Sequence, residues 1–119
     1  MANEIKTTMR MFLSNGNSKF DRTVNSTLDQ TAEGGPTPGY KTIGTSEETE
    51  AFSELGTEGW VLMQNLDAAN YVQWGFATGA YGGRLEAGES AMFRLEPSTT
   101  LYLKANTAAC KVVIYGFED

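Results

Sequence analysis

Residues 59–77 read GWVLMQNLDAANYVQWGFA, and this stretch decides the fold. Trp60 to Gln64 is a compact apolar run of strand length. The NLDAAN that follows (65–70) is rich in the Asn and Asp that favour turns. From Tyr71 to Ala77, Val72, Trp74 and Phe76 then alternate with Tyr71 and Gln73, the period of two that marks a pleated strand.

The same punctuation continues downstream. TGAYGG (78–83) reads as a hairpin-type loop and LEAGE (85–89) as a second turn. Ala91, Phe93 and Leu95 alternate with Met92 and Arg94 until EPST (96–99) breaks the run. Leu101 to Ala105 and Lys111 to Phe117 finish the chain. Val112 to Tyr115 is apolar on both faces and so predicts a central strand.

Upstream, TSEETEAFSELG (45–56) carries a capping box in Thr45 and Glu48, a C′ glycine in Gly56, and an Ala51, Phe52, Leu55 stripe. It spans at most about three turns, so a short helix and an irregular strand both fit. A short strand is expected from Tyr40 to Gly44, after a loop at EGGPTPG (33–39), where two prolines cannot donate to a ladder. Lys19 to Leu28 reads as a strand. Ile5, Thr7, Met9, Met11 and Leu13 share one face of a half-buried strand, with SNGNS (14–18) as the turn between them. With 13 glycines spread along the chain, about eight short strands and at most one short helix are expected. The predicted fold is all-β, an antiparallel β-sandwich or jelly roll, in one domain over 1–119 with residues 1–15 as an N-terminal arm or edge strand.

Composition excludes much. The chain of 119 residues has no histidine, which removes serine–histidine and cysteine–histidine catalysis. Cys110 is the only thiol, too few for a zinc site or an intrachain disulfide, and its small apolar neighbours predict a buried hydrophobe. No run approaches the ~18 apolar residues of a membrane span, and the N-terminus lacks a secretory pattern. The net charge is −6, all of it carried between Lys41 and Arg84 by Glu47, Glu48, Glu50, Glu54, Glu58 and Asp67. A nucleic-acid binder would show a basic stripe instead. The acidic run reads first as a solvated face and second as a patch for a basic protein surface.

No catalytic kit emerges. The glycines at 75, 79, 82 and 83 lack the lysine and the helix that a phosphate loop needs. Glu86 and Glu89 are a carboxylate pair in a turn, where acids usually only solvate the loop. The expectation is a non-enzymatic protein with no cofactor and no metal. Candidate partner contacts are Met9, Met11 and Phe12 near the N-terminus, and Phe76, Tyr81 and Arg84 around the glycine-rich loop. For the methionines, the simpler reading is a core strand. Trp60, Trp74 and Tyr71 could line a sugar-binding face, but Trp60 and Trp74 sit in apolar runs and read more simply as core.

Four stretches in order, GTSEETEAF (44–52), GWVLMQNLDAANYVQWG (59–75), GRLEAGESAMFRL (83–95) and LYLKANTAACKVVIYGFED (101–119), resemble a group of small tailed-bacteriophage virion proteins. The resemblance begins at Gly44 and rests on the order of its turn and strand signals. It implies a β-sandwich structural protein that decorates or cements the capsid, made in the host cytoplasm and placed on the virion surface. The partners it implies are the major capsid protein and further copies of the chain, as a dimer or trimer. Tail, neck and fibre components share such sandwiches, and a carbohydrate or host-surface binding module is the remaining alternative.

Overall fold

The computed structural model describes residues 4–30 and 32–119. Ten strands follow one another, and no helix occurs among the described residues. The chain divides into two compact units, one holding the first two strands and the other spanning Ala32–Asp119.

The first unit is a hairpin. β1 (Ile5–Asn15) and β2 (Ser18–Leu28) pair in unbroken antiparallel register from Ile5↔Leu28 to Asn15↔Ser18. Gly16, with φ of 58°, opens the two-residue loop between them, the position where a hairpin turn favours glycine. The predicted alternation is present but the predicted half-burial is not. Only Thr7 of β1 is buried, its Oγ1 lying 2.6 Å from Ser26 Oγ. β1 and β2 form a sheet of their own, so the side of β1 expected to face a core faces solvent over most of its length. Of the arm or edge strand expected over residues 1–15, residues 1–3 lie outside the described residues, and Ile5–Asn15 is one strand of a hairpin that reaches Leu28. The chain read as one domain over 1–119 holds two compact units.

The second unit is an antiparallel β-sandwich. One sheet has the order β3 (Thr37–Ile43), β10 (Cys110–Glu118), β5 (Glu58–Asn65), β8 (Ser90–Arg94). The other has the order β4 (Glu48–Glu50), β9 (Leu101–Ala105), β6 (Val72–Gly75), β7 (Gly83–Leu85). Alternate residues of each strand point inward, as the pleat requires. Ile43, Val61, Met63, Val112 and Ile114 from the first sheet meet Val72, Leu85, Leu101, Leu103 and Ala105 from the second. β10 lies between β3 and β5, the central position expected of it, and Cys110 is buried as expected. Only β6 and β7 are consecutive neighbours within a sheet; every other connection of the unit changes sheets.

Local corrections have physical causes. The 33–39 loop ends early: β3 starts at Thr37 and includes Pro38, opposite Tyr115. β3 is an edge strand, where a residue without an N–H is tolerated. Of the two readings of 45–56, the strand is the one present, over Glu48–Glu50, and no helix forms. The Glu48 carboxylate accepts the Gly44 N–H at 2.8 Å, and Glu50 accepts the Phe52 N–H at 2.8 Å. These contacts shape a three-residue strand followed by a turn, with Phe52 at φ 52°. Leu85, read as part of a turn, ends strand β7 and is buried.

Candidate functional site

The candidate contact residues fall on two separate structures. On the hairpin, cross-strand register sorts the side chains by face. Met9↔Val24, Met11↔Arg22 and Leu13↔Phe20 lie on one face together with Ile5↔Leu28. Met11 is 70 % exposed, and Met9, Leu13, Phe20 and Val24 are exposed as well. Phe12 stands on the opposite face, 64 % exposed, with the Arg10 guanidinium 5.3 Å from its ring centre. Arg10 also forks onto Asp21 through two hydrogen bonds of 2.9 Å, which raise its pKa. The default of a core strand for the methionines is therefore replaced by an exposed apolar face. The physical reason is that a two-stranded ribbon has no second layer to bury it.

On the sandwich, Phe76, Tyr81 and Arg84 flank the β6–β7 loop, and each has a different role. Phe76 is 51 % exposed and stands edge-on to Trp74 (5.9 Å) and Phe93 (6.0 Å). Trp74 stacks on Phe93 at 5.1 Å with an interplanar angle of 5°. A shallow recess is lined by Trp74, Gly75, Phe76, Ala80, Gly82 and Gly83. A Cβ at Gly83 would come within 2.2 Å of the Trp74 indole, so this glycine is needed for the close approach. Arg84 lies 3.9 Å from the centre of the Tyr71 ring, which occupies one side of that aromatic. Trp60 and Trp74, expected in the core, are half-buried; Trp74 packs against the core cluster.

Tyr81 is half-buried, and its hydroxyl donates to the carboxylate of Glu47. The same carboxylate accepts from Thr78 Oγ1 at 2.6 Å and from the Gly79 N–H at 2.8 Å. Glu47 was legible only as one acid in the acidic run, because its partners lie more than thirty residues along the chain. The hydrogen bonds from Thr78, then Tyr81 and Gly79, hold its carboxyl below the usual carboxylate range, while the Tyr81 hydroxyl is pushed up by Glu47. A lowered carboxylate pKa means the brace is complete above the ordinary Glu value and is lost as pH falls below it. The Gly79 amide proton shift should therefore titrate below the ordinary glutamate range, as pH falls through the lowered pKa of Glu47. In a Glu47→Gln chain that titration should be absent; a step that persists would assign it to another carboxylate.

The other acids weighed in the sequence also serve turns. Glu89 accepts the Glu86 N–H at 2.8 Å. Asp67 accepts the Asn70 and Ala69 N–H groups at 2.7 and 3.0 Å, which lower its pKa in that order. No cluster of three or more potential metal ligands occurs among the described residues.

One surface went unread in the sequence. On the outward side of the β3-β10-β5-β8 sheet, the register aligns Pro38–Tyr115–Leu62–Met92 in a row across all four strands. The adjoining row is Tyr40–Val113–Gln64–Ser90, apolar on β3 and β10 and polar on β5 and β8. Tyr40 is 60 % exposed and Leu62 38 %, with Met92, Val113 and Tyr115 half-buried. The two-faced apolar run at Val112–Tyr115 was the available signal.

No family model matches the chain, and no curated protein or solved structure shows significant similarity to it.

Proposed function

We propose that this chain is a non-enzymatic structural protein of a tailed-phage virion that decorates or cements the capsid, binding across major capsid protein subunits. The observation that carries this reading is the β1–β2 hairpin, which exposes Met9, Met11, Phe12, Leu13, Phe20 and Val24 together. Strands of 11 residues reach roughly 35 Å at the usual rise, long enough for an arm to contact more than one neighbouring subunit. Each large apolar side chain fully covered contributes roughly 1.5–3 kcal/mol, so a protein surface laid against such an arm gains substantial binding energy. The resemblance of residues 44–119 to small virion proteins supports a place in the virion, one that shell, neck, tail and fibre components share. Binding to the assembled shell would stabilise it by mass action.

Copy counting by mass spectrometry on purified particles tests the reading. A copy number comparable with that of the major capsid protein is expected. A small fraction of that number would move the chain to the tail, neck or fibre, and absence from particles would overturn the proposal. A Phe12→Glu chain with an unchanged far-ultraviolet β signal should bind particles about tenfold less, the effect of losing ~1.4 kcal/mol.

A further inference from the structure

We infer that the surface laid against the apolar face of the β1–β2 hairpin is a protein surface that presents a carboxylate to Arg22. The inference rests on the preceding reading and specifies its hairpin contact: which face is buried, and what the partner brings to it. Arg22 is the one charged residue of that face. It pairs with Met11 across the strands and lies between Phe20 and Val24 along β2, with Met9 and Leu13 on its diagonals. All six side chains are exposed.

Arg22 lacks what the other arginines have. Of the four in the chain, Arg10 forks onto Asp21, Arg84 lies 3.9 Å from Glu86, and Arg94 pairs with Asp119. The Arg22 guanidinium has no ion pair or hydrogen bond among the described residues. Asp21, its neighbour in sequence, points to the opposite face and is taken by Arg10. The make-up of the face selects the occupant. Methionine, aromatic residues and arginine are the side chains enriched at the centre of protein–protein contacts, and Met9, Met11, Phe20 and Arg22 are of those types. A hairpin face meant for lipid keeps its cations on the polar side; here one stands amid the apolar side. A purely apolar protein surface fits no better, because it would strand the guanidinium out of water without a counter-charge, a costly state. A carboxylate opposite it turns that cost into a bidentate contact, for which arginine is the cation of matching shape.

The test is binding of the full chain to particles depleted of it, read by cosedimentation, with far-ultraviolet circular dichroism on each variant. Arg22→Met should bind roughly thirtyfold more weakly than wild type, the loss of ~2 kcal/mol that marks an interface anchor. It leaves the partner's carboxylate covered and unpaired. Arg22→Lys should lose less, since the charge is kept while the fork is lost. Under an apolar or lipid occupant the sign reverses, because a methionine then replaces a stranded charge. Arg22→Met binding as well as wild type, or better, would therefore overturn the inference. If Arg22→Met loses its β signal, Arg22→Gln takes its place with the same expectation. A second readout identifies the acid. Zero-length carbodiimide coupling of the particle-bound Arg22→Lys chain should join the introduced amine to an Asp or Glu of another protein, located by mass spectrometry. Coupling only to carboxylates of this chain would overturn the inference. A wild-type chain that does not bind particles overturns the capsid reading and this inference with it. Wild-type binding that Arg22→Met leaves intact removes this inference alone.

Discussion

Asn65→Ala should destabilise the sandwich unit by about 3 kcal/mol or more, the sum of a lost buried amide and the backbone groups it leaves unpaired. Asn65 is fully buried at the end of β5. Its Nδ2 donates to the Asn70 carbonyl at 2.9 Å and the Leu85 carbonyl at 3.1 Å, and its Oδ1 accepts the Asp67 N–H at 3.0 Å. Its backbone adds two more ties, accepting from Gly88 and donating to Glu89. One side chain thus joins the β5–β6 turn to the end of β7. Alanine removes these hydrogen bonds from a fully buried position, and a buried polar group that loses its partner costs about 1–3 kcal/mol. Urea unfolding followed by circular dichroism should show a lower midpoint at an unchanged slope. A loss below about 1 kcal/mol would mean that water replaces the amide.

Phe52→Ala should cost about as much or more, roughly 3–5 kcal/mol, the usual range for deleting a buried aromatic. Phe52 is 1 % exposed although it follows an acidic strand and sits at a left-handed φ of 52°. The backbone holds it there: its N–H donates to Glu50, and its carbonyl accepts the Leu55 N–H at 2.9 Å. The ring lies where a side chain on Gly116 would be, 2.7 Å from an ideal Cβ. Gly116→Ala alone should therefore cost about 1–3 kcal/mol by overpacking. In the double variant the two losses should fall short of their sum, because the smaller residue at 52 makes room for the methyl group. Additive losses in the same urea experiment would show that the two positions do not share that space.

The strands of the sandwich were legible because their signals are local. β9 matches the expected Leu101–Ala105, and β5, β8 and β10 differ from expectation by a few end residues. Alternation and turn chemistry act within a few residues, and these segments carry both. The segment 45–56 was not legible, because its helix signals are outweighed by carboxylates that bind Gly44 and Phe52 instead. β7 was missed for a related reason. Gly83–Leu85 is too short to show a period, and its pairing with Val72 to Trp74 makes it a strand.

Of the candidate contacts, Met9, Met11, Phe12 and Phe76 proved exposed, while Tyr81 and Arg84 are engaged by Glu47 and Tyr71. The sequence by itself determined the all-β class, the positions of most strands and turns, and the central place of the last strand, since each follows from side-chain period and local turn preference. The tertiary structure decided which faces are covered. Nearly every connection of the sandwich changes sheets, so the partners of a strand lie far along the chain. The same alternation of Met9, Met11 and Leu13 that would line a core in a layered sheet is left facing solvent on a two-stranded hairpin. Burial belongs to the second layer, and no residue pattern within one strand specifies whether that layer is present.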